Sequence, residues 1–173
     1  RLRGLPDDDV AADMYLATQE ICAGAGFAGY EVSNHARAGA ESLHNLIYWR
    51  YGDYAGIGPG AHGRLTLGGQ RYATETPLAP AAWLAQVRKT GSGEGARVAL
   101  APEDQLTEFL LMGLRLHDGV ARDRMPGQWS ASLYNNINDL INMGMLQKDA
   151  DRLWVTPAGR PVLNAVLRAL LDF

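Results

Sequence analysis

The feature that most constrains this chain is half of an α/β unit at its start, with no visible partner for its strand. Pro6 and the acidic run Asp7-Asp8-Asp9 favour a helix start, because negative charge suits the positive end of a helix dipole. Val10, Met14, Ala17 and Ile21 follow at spacings of four, three and four, which is one face of a helix, and Gly24 and Gly26 end it. Phe27 to Ser33 then reads as a short strand carrying Tyr30 and Val32. A helix, a glycine turn and a strand need strand neighbours, and the natural ones would lie upstream of Arg1. Residues 1 to about 75 are therefore expected to be the tail of an α/β barrel or open sheet. The opening Arg1-Leu2-Arg3-Gly4-Leu5-Pro6 has no initiator Met and no signal-type apolar run, and reads as a loop cut from something longer.

Further along, residues 34–52 are polar and aromatic without a clean period. Arg64-Leu65-Thr66-Leu67 and Gln70-Arg71-Tyr72-Ala73 flank Gly68-Gly69, a hairpin signal. Residues 76–97 are expected to hold a connecting helix (78–89) and the flexible break Gly91-Ser92-Gly93-Glu94-Gly95. The second lobe, residues 98–173, has a distinct grammar. Pro102 opens a helix with Leu106, Leu110 and Leu114 on one face, and Ser130 to Met143 forms another with Leu133, Ile137, Leu140 and Ile141. Met145–Lys148 and Leu153–Thr156 make two strands around Ala150-Asp151. Thr156 is expected to cap a last helix with Pro157 in its first turn and Val162, Leu163, Val166, Leu167 and Leu170 as its apolar face. Helices followed by a small β-wing describe a winged-helix module, so the fold class is α/β plus a small α+β winged-helix domain.

Composition excludes several function classes. The net charge of −3 gives no whole-chain field for nucleic acid or an anionic membrane. No run approaches the roughly 20 apolar residues of a membrane span. The single cysteine, Cys22, excludes an internal disulfide and fits a reducing, cytoplasmic setting. A winged helix invites a DNA-binding reading, but Ser130 to Met143 contains no Lys or Arg and includes Asp139. Asn135, Asn136, Asn138 and Asn142 could reach bases, yet no cationic footprint accompanies them. A packing module is the better reading.

Two clusters carry chemical interest. Gly56-Ile57-Gly58-Pro59-Gly60-Ala61-His62-Gly63 contains Gly56-x-Gly58-x-x-Ala61, with Glu75 at about the distance a dinucleotide fingerprint needs. Pro59 interrupts it and a hairpin follows, so that reading fails. Four glycines in eight residues exceed what one turn requires, which favours close backbone approach to a ligand at Gly58 and Gly60. The four histidines, His35, His44, His62 and His117, show no i, i+4 pairing, and no cysteines accompany them as a zinc site would need. His44 differs from the others, because His44-Asn45-Leu46-Ile47-Tyr48-Trp49 sets an imidazole beside two aromatic rings that suit a flat, conjugated ligand.

Three ordered motifs then point to one family. Tyr30-Glu31-Val32-Ser33-Asn34, His44-Asn45-x-x-Tyr48-Trp49-Arg50-Tyr51-Gly52-Asp53-Tyr54 and Gly56–Gly63 closely resemble radical SAM proteins of the oxygen-independent coproporphyrinogen III oxidase family. Within it they resemble the heme-chaperone (HemW-like) branch. The true oxidases have a Gln-Gly-Tyr-Thr-Thr run where this chain has Trp49-Arg50-Tyr51-Gly52-Asp53, so coproporphyrinogen oxidation is the weaker alternative. Ala38 stands where many relatives carry proline.

The resemblance implies the end of a radical SAM barrel (a partial TIM barrel) followed by the winged-helix lobe, with Gly56–Gly63 as the barrel's last strand and turn. It implies a heme contact at His44, most simply an axial iron ligand, with Asn45, Tyr48 and Trp49 shaping the pocket and His62 as a second candidate. Gly58, Gly60, Ala61 and His62 would lie near S-adenosylmethionine or substrate. The implied partners are heme and a heme-accepting protein, and a homodimer is left open. The family's CxxxCxxC motif holds a 4Fe–4S cluster, and one cysteine cannot supply three thiolates. Anaerobic reconstitution of this chain with iron and sulfide is therefore expected to yield no 5′-deoxyadenosine from S-adenosylmethionine. Stoichiometric release, followed by chromatography, would contradict the reading.

Overall fold

The computed structural model describes residues 4–171, so the loop expected at Arg1–Arg3 lies outside the described residues. Helix α1 spans Asp8–Gly24, and the Asp7 side chain accepts from Val10 N at 2.9 Å to cap it. Its expected apolar face stays open to solvent, with Val10, Met14 and Ile21 all exposed. The strand expected over Phe27–Ser33 shrinks to β1, Ala28–Gly29, which pairs antiparallel with β2, His35–Ala36. The reason is Glu31. Its buried carboxylate accepts from Ser33 N, Ser33 Oγ and Asn34 Nδ2, curling the chain into a turn before a longer strand can form.

Residues 34–52, without a clean period in the sequence, contain a seven-residue helix, α2, Leu43–Trp49. The expected hairpin is present as β3, His62–Leu67, and β4, Gln70–Glu75. Gly68 and Gly69 both take positive φ, 57° and 82°, as a two-residue connection demands. The glycine stretch is not the strand expected there: regular pairing starts only at His62, preceded by a lone bridge between Tyr54 and Arg64. Helix α3, Pro80–Thr90, ends on Gly91 in the left-handed region. Val98 and Ala99, placed with the second lobe from sequence, form β5 and pair with β4. Every strand pair among the described residues is antiparallel.

The C-terminal lobe holds α4 (Pro102–Gly113), β6 (Val120–Ala121), α5 (Ala131–Asn142), β7 (Leu146–Lys148), β8 (Arg152–Val155) and α6 (Leu163–Leu171). Its sheet runs β6-β8-β7, and β6 is an addition to the two strands expected. The last helix starts later than Thr156 implied. Thr156 Oγ1 accepts from Gly159 N at 3.1 Å and caps a turn, a 3₁₀ segment follows over Arg160–Val162, and only then does α6 begin. Pro161, which lacks an N–H, sits in that 3₁₀ turn, and Val162 points outward.

Among the described residues, the buried apolar core lies entirely in this lobe, from Phe109 onward, with Leu110, Leu114, Ile137 and Leu153 fully enclosed. The first hundred residues contribute no fully buried large apolar side chain; Val32 and Tyr51 only lean against the core. They are held by polar contacts instead. Glu108 on α4 accepts from Arg64 Nη2 at 2.7 Å and Nε at 3.0 Å, and from the Tyr51 hydroxyl at 3.1 Å. Tyr51 also meets Phe109 edge to face at 5.9 Å.

Leu110→Ala is expected to cost roughly 2–5 kcal/mol in urea unfolding, as a buried large-to-small change. Glu108→Ala should cost about 1–3 kcal/mol, because it strands the half-buried Arg64 and the Tyr51 hydroxyl. Burial alone would raise the Glu108 carboxyl, but hydrogen bonds and charge from Arg64 outweigh it and hold the carboxyl below its ordinary range. A lowered folded pKa contributes stability that is complete above the ordinary carboxylate range and is lost as pH falls through the lowered value. The difference between wild type and Glu108→Ala should therefore shrink on acidification; a constant difference would contradict the assignment.

Candidate functional site

Helix α2 carries all four residues expected to touch a flat ligand, but it does not turn them to one place. Ser42 caps it through a bond from Asn45 N to Oγ at 3.3 Å. His44 and Tyr48, four apart, share a face and meet edge to face at 4.8 Å. Tyr48 in turn lies against Tyr54 at 4.3 Å. His44 is exposed and has no hydrogen-bond or ion-pair partner among the described residues. Asn45 donates from Nδ2 to the Tyr30 hydroxyl at 3.3 Å, which ties the helix to the turn after β1. Trp49 faces elsewhere: it lines a separate cavity against the C-terminal lobe, with the Arg115 guanidinium 5.5 Å from its ring centre.

Behind Tyr48 lies a small cavity of about 120 Å³, lined also by Tyr51, Tyr54, Arg64, Arg71 and Glu108. Tyr51 has φ 55°, the one non-glycine residue in the left-handed region among those described. Arg71, buried, stacks 3.8 Å above its ring, bonds the Gly52 carbonyl at 3.0 Å and pairs with Asp53 at 2.7 Å. These contacts hold the chain in its sharp turn out of α2. Burial, and then the neighbouring Glu108 charge, push the Tyr51 hydroxyl well above the ordinary tyrosine range, so it stays protonated and donates. Burial likewise raises Tyr54. Sequence reading missed Arg64, Arg71 and Glu108. Tyr48, Tyr51 and Tyr54 at three-residue spacing were a visible signal, whereas nothing local connects Arg64 to Glu108 across 44 positions.

The glycine stretch is a folded loop gathered on Thr76. Its Oγ1 donates to the Gly58 carbonyl at 2.6 Å and accepts from Ala61 N at 2.8 Å, while Gly60 N donates to the Pro77 carbonyl at 2.9 Å. Gly58 and Gly60 take φ 101° and 69°. A side chain on Gly60 would meet Leu78, whereas Gly58 faces open space. Gly56 and Gly63 are needed for a different reason: a Cβ on Gly56 would strike the His62 backbone, and one on Gly63 would strike Thr74 Oγ1 and the Tyr54 carbonyl. Two of the four glycines thus answer to chain-on-chain packing. His62 is exposed and sits 3.6 Å from Glu75 across the hairpin. His35 Nε2 lies 3.1 Å from Gln19 Oε1. His117, beside Gly29, has its pKa lowered by burial and then by Arg160.

Known proteins match this arrangement along nearly its whole length. Residues 100–162 match the family model described as the HemN C-terminal domain. The chain carries a HemN C-terminal domain. It is also homologous to the HemW heme chaperones. Radical S-adenosyl methionine domain-containing protein 1, mitochondrial, of Mus musculus is 39% identical over 96% of this chain and 40% of its own length. Heme chaperone HemW of Lactococcus lactis is 35% identical over 96% of this chain and 44% of its own length, and the Escherichia coli protein of that name is 31% identical. A solved structure of Escherichia coli coproporphyrinogen III oxidase (HemN), described as a radical SAM enzyme, covers 98% of the chain with a TM-score of 0.72 at 16% identity, which shows the shared fold. The chain spans about two fifths of the length of these relatives.

For a 4Fe–4S cluster the residues present do not fit, since Cys22 on α1 is the one thiol. On α2 an exposed imidazole without a hydrogen bond among the described residues stands beside a tyrosine pair. No helix among the described residues is long and apolar enough to cross a membrane. The contrast between the glycines is testable. Gly63→Ala should unfold at distinctly lower urea than Gly58→Ala, because the first forces backbone apart and the second strains only φ, at roughly 1 kcal/mol. Equal midpoints would return both glycines to a single role.

Proposed function

We propose that this chain is the C-terminal part of a heme-handling radical SAM protein, in which α2 presents His44 to heme as cargo for a recipient protein. The single observation that carries the reading is the exposed His44 imidazole. It has no hydrogen bond among the described residues, and its one ring contact, with Tyr48 at 4.8 Å, leaves both nitrogens free. An exposed imidazole with both nitrogens free of protein partners is open to an incoming iron. Exposure suits transient cargo better than a permanently enclosed cofactor, because the iron must be released to another protein. The relatives named heme chaperone support the same reading.

In this reading His44 offers a neutral nitrogen to iron, Tyr48 supplies aromatic surface beside it, and Asn45 keeps the helix in place by bonding Tyr30. The glycine loop around Gly58, with open space above it, would sit beside S-adenosylmethionine or substrate, together with Gly60, Ala61 and His62. The C-terminal lobe, a winged helix by this reading, serves as packing support and not as a DNA reader. The single cysteine supports a reducing compartment such as the cytoplasm, while the mammalian relatives carry the word mitochondrial in their names.

In the full-length protein, His44→Ala is expected to shift the Soret band and weaken heme retention at least tenfold while the thermal midpoint stays within a few degrees. His62→Ala, whose imidazole already faces Glu75, should leave both unchanged. The opposite pattern would make His62 the ligand and overturn the assignment.

A further inference from the structure

We propose that the cavity between Trp49 and the C-terminal lobe binds a carboxylate carried on an apolar stem, and, resting on the heme-handling reading above, that it receives a propionate arm of the tetrapyrrole. The cavity measures about 290 Å³ and is walled by the end of α2 on one side and by α4, β6 and β8 on the other. Its floor is apolar, formed by the buried Phe109, Leu116 and Val120. Its rim is cationic, with Arg50, Arg124 and Arg152 against one acid, Asp118.

Charge at that rim is unbalanced. Arg152 pairs with Asp118 at 3.0 Å, which settles both. Arg124 reaches only the Arg50 carbonyl, at 3.3 Å, and neither Arg50 nor Arg124 has an ion-pair partner among the described residues. The Trp49 indole Nε1 is buried with no hydrogen-bond partner. A buried donor left unpaired costs about 1–3 kcal/mol, so its persistence needs an explanation. At the rim the Arg50 and Arg124 guanidinium groups lack an acid, and a group bearing negative charge would supply it.

The apolar floor narrows the choice of anion. Phosphate is hydrated on every side and gains nothing from Phe109, Leu116 and Val120. A carboxylate at the end of a methylene stem buries the stem on that floor and keeps its head among the guanidinium groups. The volume lies at or below the roughly 300–1,000 Å³ that encloses a whole small ligand, which suits a side arm and not a macrocycle. Trp49 follows His44 by five residues on one short helix, so both residues ride on a single rigid element.

The test uses the full-length protein with nitrogen-15-labelled tryptophan, Trp49→Phe serving to assign the Trp49 indole signal. Pentanoate should shift that signal saturably, whereas pentanamide and inorganic phosphate should not. The double variant Arg50→Ala/Arg124→Ala should weaken pentanoate at least tenfold and leave the other indole signals in place. No shift, or saturation by phosphate alone, overturns the site. In a second arm, heme should bind at least tenfold more tightly than its dimethyl ester, and the double variant should abolish that preference without affecting the ester. Equal binding of heme and ester overturns the propionate assignment and leaves the His44 reading standing. If wild-type protein binds no heme at all, the heme-handling reading fails, and a saturable pentanoate shift still upholds the carboxylate site.

Discussion

The bidentate contact between Arg64 and Glu108 is the interaction on which the rest of the arrangement depends. Among the described residues, the first hundred positions contribute no fully buried large apolar side chain, so hydrophobic burial cannot by itself set where they lie. The C-terminal lobe, in contrast, has a closed core around Leu110, Leu114 and Ile137. Glu108 stands on the helix that carries Leu110, next to the core residue Phe109, and reaches out to Arg64 and Tyr51. A half-buried, two-pronged charge pair is directional where apolar packing is not, and it sets an orientation as well as a distance.

That orientation passes directly to α2. A seven-residue helix is too short to persist by itself, since isolated helices below about 12–15 residues are marginal in water. Tyr51 follows it in an unfavoured left-handed conformation, held by Arg71 above its ring and Glu108 at its hydroxyl. The tyrosine thus converts the position of the C-terminal lobe into the position of His44, Tyr48 and Trp49. The C-terminal lobe in this way supplies the rigid element that the first half lacks.

Much of this was legible in the sequence, and the failures have physical causes. The Gly68-Gly69 hairpin, α4 and α5 follow from local rules, because turn chemistry and apolar period act within a few residues. The strand expected at Phe27–Ser33 failed because Glu31 bonds its own neighbours, an alternative invisible to an alternation pattern. Helix α2 escaped notice because seven residues show too few turns for a period, and its stability comes from contacts elsewhere. His44, Asn45, Tyr48 and Trp49 do share one helix, but Trp49 lies about 100° round from Tyr48 and opens to a different cavity, which a linear motif does not reveal. Arg71 and Asp53 sit 18 residues apart with no motif between them, so only the fold reveals that pair.

The proposed role of α2 is that its His44 imidazole meets heme iron. Resonance Raman spectroscopy of ferrous heme in the full-length protein, prepared with nitrogen-15 imidazole in its histidines, tests it most directly. An iron–histidine stretch that shifts on labelling should be present in wild type and should vanish in His44→Gln. A stretch that persists unchanged in His44→Gln, or a heme spectrum with no isotope-sensitive band at all, would contradict it.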